Sequence, residues 1–200
     1  MKHARAEPAN VPRETSLRLE AFTDILLRWN KRINLISRAD EERVAHRHLN
    51  DALQLTRLMP PGVERAIDLG SGGGFPGLVL AIATGVHFEL VEADRRKATF
   101  LREAVRITVA TATVHCARVE ESSIPPAHLV TARAFAPLCK MIELAYRLLA
   151  PGAVLLLPKG KSVDQELTVA RAKWNMKIDK FPSNTDPGAT ILRLSEVTRG

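Results

Sequence analysis

The chain has 200 residues, 46% hydrophobic and 4% aromatic, which suits one compact domain with a full apolar core. Its 29 Lys and Arg outnumber 22 Asp and Glu, a net charge of +7 that favours a polyanionic partner, while the scarcity of aromatic rings points to shape and phosphate contacts rather than a base-reading surface. No apolar run approaches the roughly 20 residues of a membrane span, the polar start lacks a secretory signal, and Cys116 and Cys139 have no zinc-type spacing with histidine; the expectation is a cytoplasmic chain with ordinary buried thiols and no metal.

Residues 1–12, with two prolines, read as a loose leader. Over 14–29 the ladder Leu17, Ala21, Ile25 and Trp29 recurs at four-residue spacing, as on one helix face. A second helix is expected from Asp40-Glu41-Glu42, acids suited to a helix start, carrying Val44, His48, Ala52 and Leu55 before Pro60-Pro61-Gly62 closes it. Residues 1–62 thus form a leader and helical extension, and 63–200 the main domain.

In that domain the periods alternate. Strand-like runs fall at 65–69, 87–92, 113–116, 129–133 and 153–157, and helical segments at 76–84, 95–108, 137–149 and 163–174. Such alternation marks an α/β fold with a doubly wound, mostly parallel sheet. Two last runs, 176–180 and 190–194, flank the turn-rich stretch 183–188 and are expected to pair as an antiparallel hairpin at the sheet edge.

The richest stretch is 66–77. The apolar run Ala66-Ile67 meets Asp68, and Leu69-Gly70-Ser71-Gly72-Gly73-Gly74-Phe75-Pro76-Gly77 follows, which reads as strand, tight turn and helix. Glu92, 20 residues past Gly72, ends the next strand, where an acid can accept hydrogen bonds from a ribose. Two cofactors compete for this loop. Gly72-Gly73-Gly74-Phe75-Pro76-Gly77 satisfies the dinucleotide pattern G-x-G-x-x-G. Asp68 favours the other, because a carboxylate just before the first glycine opposes a pyrophosphate, whereas S-adenosylmethionine carries a sulfonium and an ammonium and no phosphate. In that register Asp68, Gly70, Gly72, Gly74 and Glu92 are the cofactor-binding candidates.

Ligands of such sheets sit at the carboxyl ends of the strands. There the sequence places Arg118-Val119-Glu120, with Val119 and Glu120 suited to lining an adenine, then Arg133, then Lys159-Gly160-Lys161. The segment Thr131-Ala132-Arg133-Ala134-Phe135-Ala136-Pro137 holds neither the Asn/Asp-Pro-Pro-aromatic motif that grips an exocyclic amine nor a Pro-Cys pair for attack on a pyrimidine. What remains is a fixed cation, Arg133, able to position a phosphate or a guanine edge, with Lys159 as its companion in a catalytic pair. Guanine N7 attacks a sulfonium methyl with its own lone pair, so no general base is required. Basic residues at 28–47 and 95–106 are candidates for phosphate contacts.

Six motifs in order then carry a resemblance: Trp29-Asn30-Lys31-Arg32-Ile33-Asn34-Leu35, His48-Leu49-Asn50-Asp51-Ala52-Leu53, the loop at 68–77, Arg118-Val119-Glu120-Glu121, Arg133-Ala134-Phe135-Ala136 and Pro158-Lys159-Gly160. The chain resembles the bacterial 16S ribosomal RNA guanine-N7 methyltransferase family (RsmG, glucose-inhibited division protein B) over nearly everything after the leader. Ala52 departs from the family's usual serine, and Asn50 is unusual before Asp51. The resemblance implies a Rossmann-like class I methyltransferase that uses S-adenosyl-L-methionine to methylate N7 of one guanine in a decoding-region loop of 16S ribosomal RNA, free or within the small ribosomal subunit; a monomer is expected. It also implies cofactor contacts by Gly70, Phe75, Val119, Glu120 and Arg133, and a role for Asn34, His48 and Asp51 in covering the donor pocket, meeting RNA or packing the helices. A methyltransferase of a small molecule or protein, and a nicotinamide-dependent oxidoreductase, are the alternative readings.

Overall fold

Apolar side chains alternate along each central strand, so the sheet is buried on both faces. Ala66, Phe88, Leu90, Leu129 and Leu156 point into one core, and Ile67, Leu69, Val91, Val130 and Leu155 into the other. The computed structural model describes residues 11–200, without the side chains of Ala45 and His46; all but the last two residues of the expected leader lie outside the described residues. The strands are β1 (Arg65–Leu69), β2 (His87–Glu92), β3 (Ala112–Cys116), β4 (Ala127–Ala132), β5 (Leu149–Lys159), β6 (Trp174–Pro182) and β7 (Thr190–Arg199), in the order β3-β2-β1-β4-β5-β7-β6. β1 to β5 run parallel; β7 pairs antiparallel with both β5 and β6, so the expected hairpin closes one edge of the sheet.

The helices are α1 (Arg13–Asn30), α2 (Asn50–Leu53), α3 (Gly77–Thr84), α4 (Arg95–Thr108), α5 (Leu138–Tyr146) and α6 (Val163–Arg171). α1, α3 and α4 cover one face, and α5 and α6 the other. The N-terminal extension shares its core with the sheet: Phe22 of α1 meets Phe75 of the glycine loop edge-on at 5.4 Å and Phe100 of α4 at 6.4 Å. α4 begins at Asp94, whose carboxylate accepts the N–H groups of Arg96 and Lys97, as an N-cap should.

Three expectations change. The buried face of α1 is Leu19, Phe22, Ile25 and Leu26, while Leu17 is 56% exposed. Steps of four residues overshoot a full helical turn by about 40°, so the ladder read from the sequence drifts off the inner face. The second helix is not uniform: a 3-10 segment (Arg38–Arg43) leads into a π segment (Val44–Leu49) and then α2. Five-residue π spacing lets Val44 and Leu49 both turn inward, which a 3.6-residue period does not register. Cys116, read as a buried thiol, is exposed because β3 is an edge strand.

Candidate active site

The strand order reverses direction at β1, with β2 on one side and β4 on the other, and a crevice at such a point is where doubly wound sheets bind ligands. The glycine loop leaves β1 there with Gly70, Gly72 and Gly74 at φ values of 67°, 49° and 88°, a left-handed path that other residues adopt only under strain. Backbone bonds strap it to the tip of β2: the Gly70 and Ser71 N–H groups donate to Val91 O at 2.9 and 3.0 Å. Glu92 completes the strap, its Oε2 accepting the Gly72 N–H and its Oε1 the Asp94 N–H, both at 2.8 Å. Each oxygen keeps a second lone pair for a ligand hydroxyl. A Cβ on Gly72 would meet nothing closer than 3.7 Å, so space is open beside this glycine.

Asp68 lies beneath the loop and is fully buried. Its Oδ1 accepts the Thr131 hydroxyl at 2.6 Å, across the register that pairs the two residues between β1 and β4. Its carboxylate sits so close to Gly77, the first residue of α3, that a Cβ on Gly77 would collide with it. Burial pushes Asp68 up to about 6 despite the Thr131 bond; its Oδ2 has no hydrogen-bond partner among the described residues, and the Ser71 hydroxyl donates to the Asp68 main-chain carbonyl at 3.1 Å. Sealed in this way, Asp68 has no face open to a ligand and can influence one only through the loop and through its charge.

The neighbouring strand tip holds Arg133. Its Nη1 donates to His48 Nδ1 at 2.8 Å, lies 3.6 Å from Asp51 Oδ2, and the guanidinium rests 4.9 Å above the Phe75 ring. Because His48 Nδ1 accepts this bond, the ring proton belongs on Nε2, which faces Asp40 Oδ2 at 3.6 Å. Burial, then the Arg133 charge, push His48 down to about 4 although Asp40 pulls the other way. Burial also lowers Arg133, opposed by Asp51 and Asp68, and the guanidinium remains a cation. Phe75 itself is buried under Arg133 and His48, so its ring organises the site from below.

Lys159, at the end of β5, is only 12% exposed and donates to Glu166 Oε2 at 2.8 Å and to Ala136 O at 3.4 Å. The same Glu166 oxygen accepts the Leu138 N–H at the start of α5. Burial pushes Glu166 up, but the bonds from Lys159, Leu138 and Ser162 outweigh it and hold the carboxyl below its ordinary value. Lys159 is therefore engaged in tying down residues 136–138, just beyond the Arg133 strand tip. Val119 is buried in a single 3-10 turn (Val119–Glu121) with its carbonyl accepting from Arg147, while Glu120 is exposed beside it.

Several organising residues escape a reading of the sequence. Asn30 accepts the Leu35 and Ile36 N–H groups at 2.8 and 3.0 Å, folding 31–36 back until Leu35 O stands 3.1 Å from where a Gly73 Cβ would be. Asn34, singled out beforehand, is exposed. Asp51 is fixed by Gln54 of its own turn and by Thr185 of the β6–β7 turn, at 2.9 and 3.1 Å. Thr131 alone carried a usable signal, since aligning the ends of β1 and β4 sets it opposite Asp68.

A family model described as GidB, rRNA small subunit methyltransferase G, matches residues 16–186. The chain belongs to the rRNA small subunit methyltransferase G family. It is 50% identical over 191 residues to a ribosomal RNA small subunit methyltransferase G of Granulibacter bethesdensis, covering 96% of this chain and 90% of that one. The corresponding protein of Acidiphilium cryptum is 52% identical over 194 residues, covering 96% and 89%. Among solved structures, an O-methyltransferase from Bacillus cereus, determined in complex with SAH, superposes with a TM-score of 0.60 at 15% identity over 88% of this chain and 91% of that chain. The fold is therefore the Rossmann-like class I methyltransferase fold, as the family would have it.

Proposed function

We propose that the chain transfers a methyl group from S-adenosyl-L-methionine to N7 of one guanine in 16S ribosomal RNA, with the donor over the glycine loop and the base over the tip of β4. Family membership supports the substrate class. The observation that carries the donor assignment is the buried carboxylate of Asp68 against Gly77. It fills the positive end of α3 that a pyrophosphate would need, so the loop suits a cationic ligand and disfavours a dinucleotide. The open space at Gly72 and the spare lone pairs of Glu92 fit a nucleoside that lies along the loop, its ribose at Glu92 and its adenine toward Val119 and Glu120.

When bound, S-adenosylmethionine supplies an electrophilic methyl on a sulfonium, which guanine N7 takes with its own lone pair and without losing a proton. The chain then has to align two reactants and exclude misdirected ones, and alignment alone is worth several powers of ten in rate. Arg133 is the aligning cation. A bidentate grip on O6 and N7 would occupy the reacting lone pair, so its useful bond is to O6 or to a flanking phosphate. His48 and Asp51 hold the guanidinium in place, and Lys159 holds the segment that carries it. Exposed Lys31, Arg32, Arg38 and Arg43, beside the loop, and Lys161 beyond β5 suit phosphates of the RNA. In this reading the chain works in the cytoplasm, as a monomer and without a metal; no helix among the described residues is long and apolar enough to cross a membrane.

The test is incubation with labelled S-adenosylmethionine and either unmodified 16S RNA or small subunits from a strain lacking the enzyme, followed by mapping of the methyl. Label at N7 of a single guanine is the expected result. Donor binding without transfer to either RNA substrate would move the function to another methyl acceptor.

A further inference from the structure

We propose that the Phe135 ring is the platform on which the target guanine stacks during methyl transfer, an assignment that rests on the function proposed above. Of the six phenylalanines, Phe22, Phe75, Phe88 and Phe100 are buried and Phe181 is partly so, whereas Phe135 is 36% exposed. An apolar ring is left facing solvent at the one place where a nucleobase has to arrive. It stands three residues beyond the end of β4 and two after Arg133, with its ring against Gly70 at the crevice between the tips of β1 and β4.

Its placement is enforced from both sides. Ala134 has φ 48°, a left-handed conformation unusual for a residue with a Cβ, and it turns the chain so that the ring of Phe135 comes back over the glycine loop. There the ring edge takes the space of the missing Gly70 side chain, and a Cβ on Gly70 would collide with it. Gly70 is therefore required by Phe135 as well as by its own φ of 67°. Beyond the ring, Lys159 and Glu166 grip Ala136 O and the Leu138 N–H, so the platform is anchored at its far end. Gly70 opens the donor loop, so a base laid on this ring reaches the donor side of the crevice directly, with Arg133 next to it. Every base offers a π face, so the ring supplies position; Arg133 supplies the polar contact that selects guanine.

The experiment compares Phe135→Ala, Phe135→Leu and Phe135→Tyr in the full chain for methylation of unmodified small-subunit RNA, for S-adenosylhomocysteine affinity by calorimetry, and for thermal midpoint. The Ala and Leu variants should lose about 5- to 100-fold in kcat/KM for RNA, the range set by one base–aromatic stack, and the Tyr variant should stay near the parent. Donor affinity and thermal midpoint should stay unchanged in all three. A Leu variant as active as the Tyr variant would reduce Phe135 to apolar filler and overturn the proposal. Loss of donor affinity in step with methylation would overturn it too, making the ring a wall of the donor pocket. A parent protein that methylates no RNA would sink the function and this assignment together, so the two failures are distinguishable.

Discussion

At the tips of β1 and β2 the crevice is made from backbone: three left-handed glycines, two N–H bonds to Val91, and a carboxylate, Glu92, that ties Gly72 to Asp94. At the tips of β4 and β5 it is made from side chains brought in from far along the sequence. Arg133 leans on His48 and Asp51 of the extension, Asp51 leans on Thr185 of the β6–β7 turn, and Lys159 reaches Glu166 of α6. The first half is a local motif, and its geometry survives so long as the glycines do. The second is an assembly, and its geometry depends on four segments staying docked. In the proposed function the two reactants then have separate supports, and substitutions should divide accordingly.

The sharpest cut is Gly72→Asp. It places a side chain at φ 49° and a second carboxylate near Glu92, whose Oε2 lies 4.0 Å from the new Cβ. Strain and like-charge repulsion together should weaken donor binding by over about 100-fold, read by calorimetry. On the other side, Asp51→Asn removes the charge that steadies Arg133. RNA methylation should fall about 10- to 100-fold, as for a lost charged contact of about 1.5–3 kcal/mol, while donor affinity changes little. Lys159→Ala leaves Glu166, 21% exposed, without its cation and loosens the start of α5. A loss of roughly 1–3 kcal/mol in urea unfolding is expected, with methylation reduced and donor binding kept. Equal loss of donor binding would instead put Lys159 in the donor pocket.

A subtler effect joins the two halves. His48, held down at about 4, is a group that the unfolded chain protonates first, so it withdraws stability as pH falls from 6.5 toward 4. Asp68, held up at about 6, is one that the folded chain protonates first, so it adds stability as pH falls from 6 toward 3.8. The two oppose one another, while the carboxylates held low, Glu166, Asp40, Asp94 and Glu103, also withdraw stability as pH falls past their ordinary values. In His48→Gln the His48 contribution is gone, so the variant should lose less stability than the parent as pH falls from 6.5 toward 4. Parallel pH profiles for parent and variant would show that His48 is not held neutral.

The same division explains what could be read in advance. The strand–loop–helix at 65–84 and Glu92 stood out because glycine geometry and the acid at a strand end are local demands. The sheet follows from strand-like runs alternating with helical segments, and the edge hairpin from the turn residues at 183–188. Arg133 could be located because it ends a strand, but not what holds it. Thr185 has no pattern that announces Asp51, 134 residues away, Asn30 has none that announces the turn it closes at Leu35 and Ile36, and Phe135 reads as one more apolar residue before a helix. The inner face of α1 departs from the four-residue ladder through helical drift, and the π turn at 44–49 follows a period the sequence pattern does not encode. Backbone demands leave a trace in residue type; long-range side-chain contacts leave almost none.

The most direct test of separate supports is calorimetric titration of S-adenosylhomocysteine into Gly72→Asp and Asp51→Asn side by side, each first checked for a cooperative unfolding transition well above the titration temperature. Binding abolished in Gly72→Asp and kept within about threefold in Asp51→Asn is the expected result, a difference of under 1 kcal/mol in the second. Comparable loss in both variants would contradict it and make the glycine loop and the Arg133 assembly a single donor pocket.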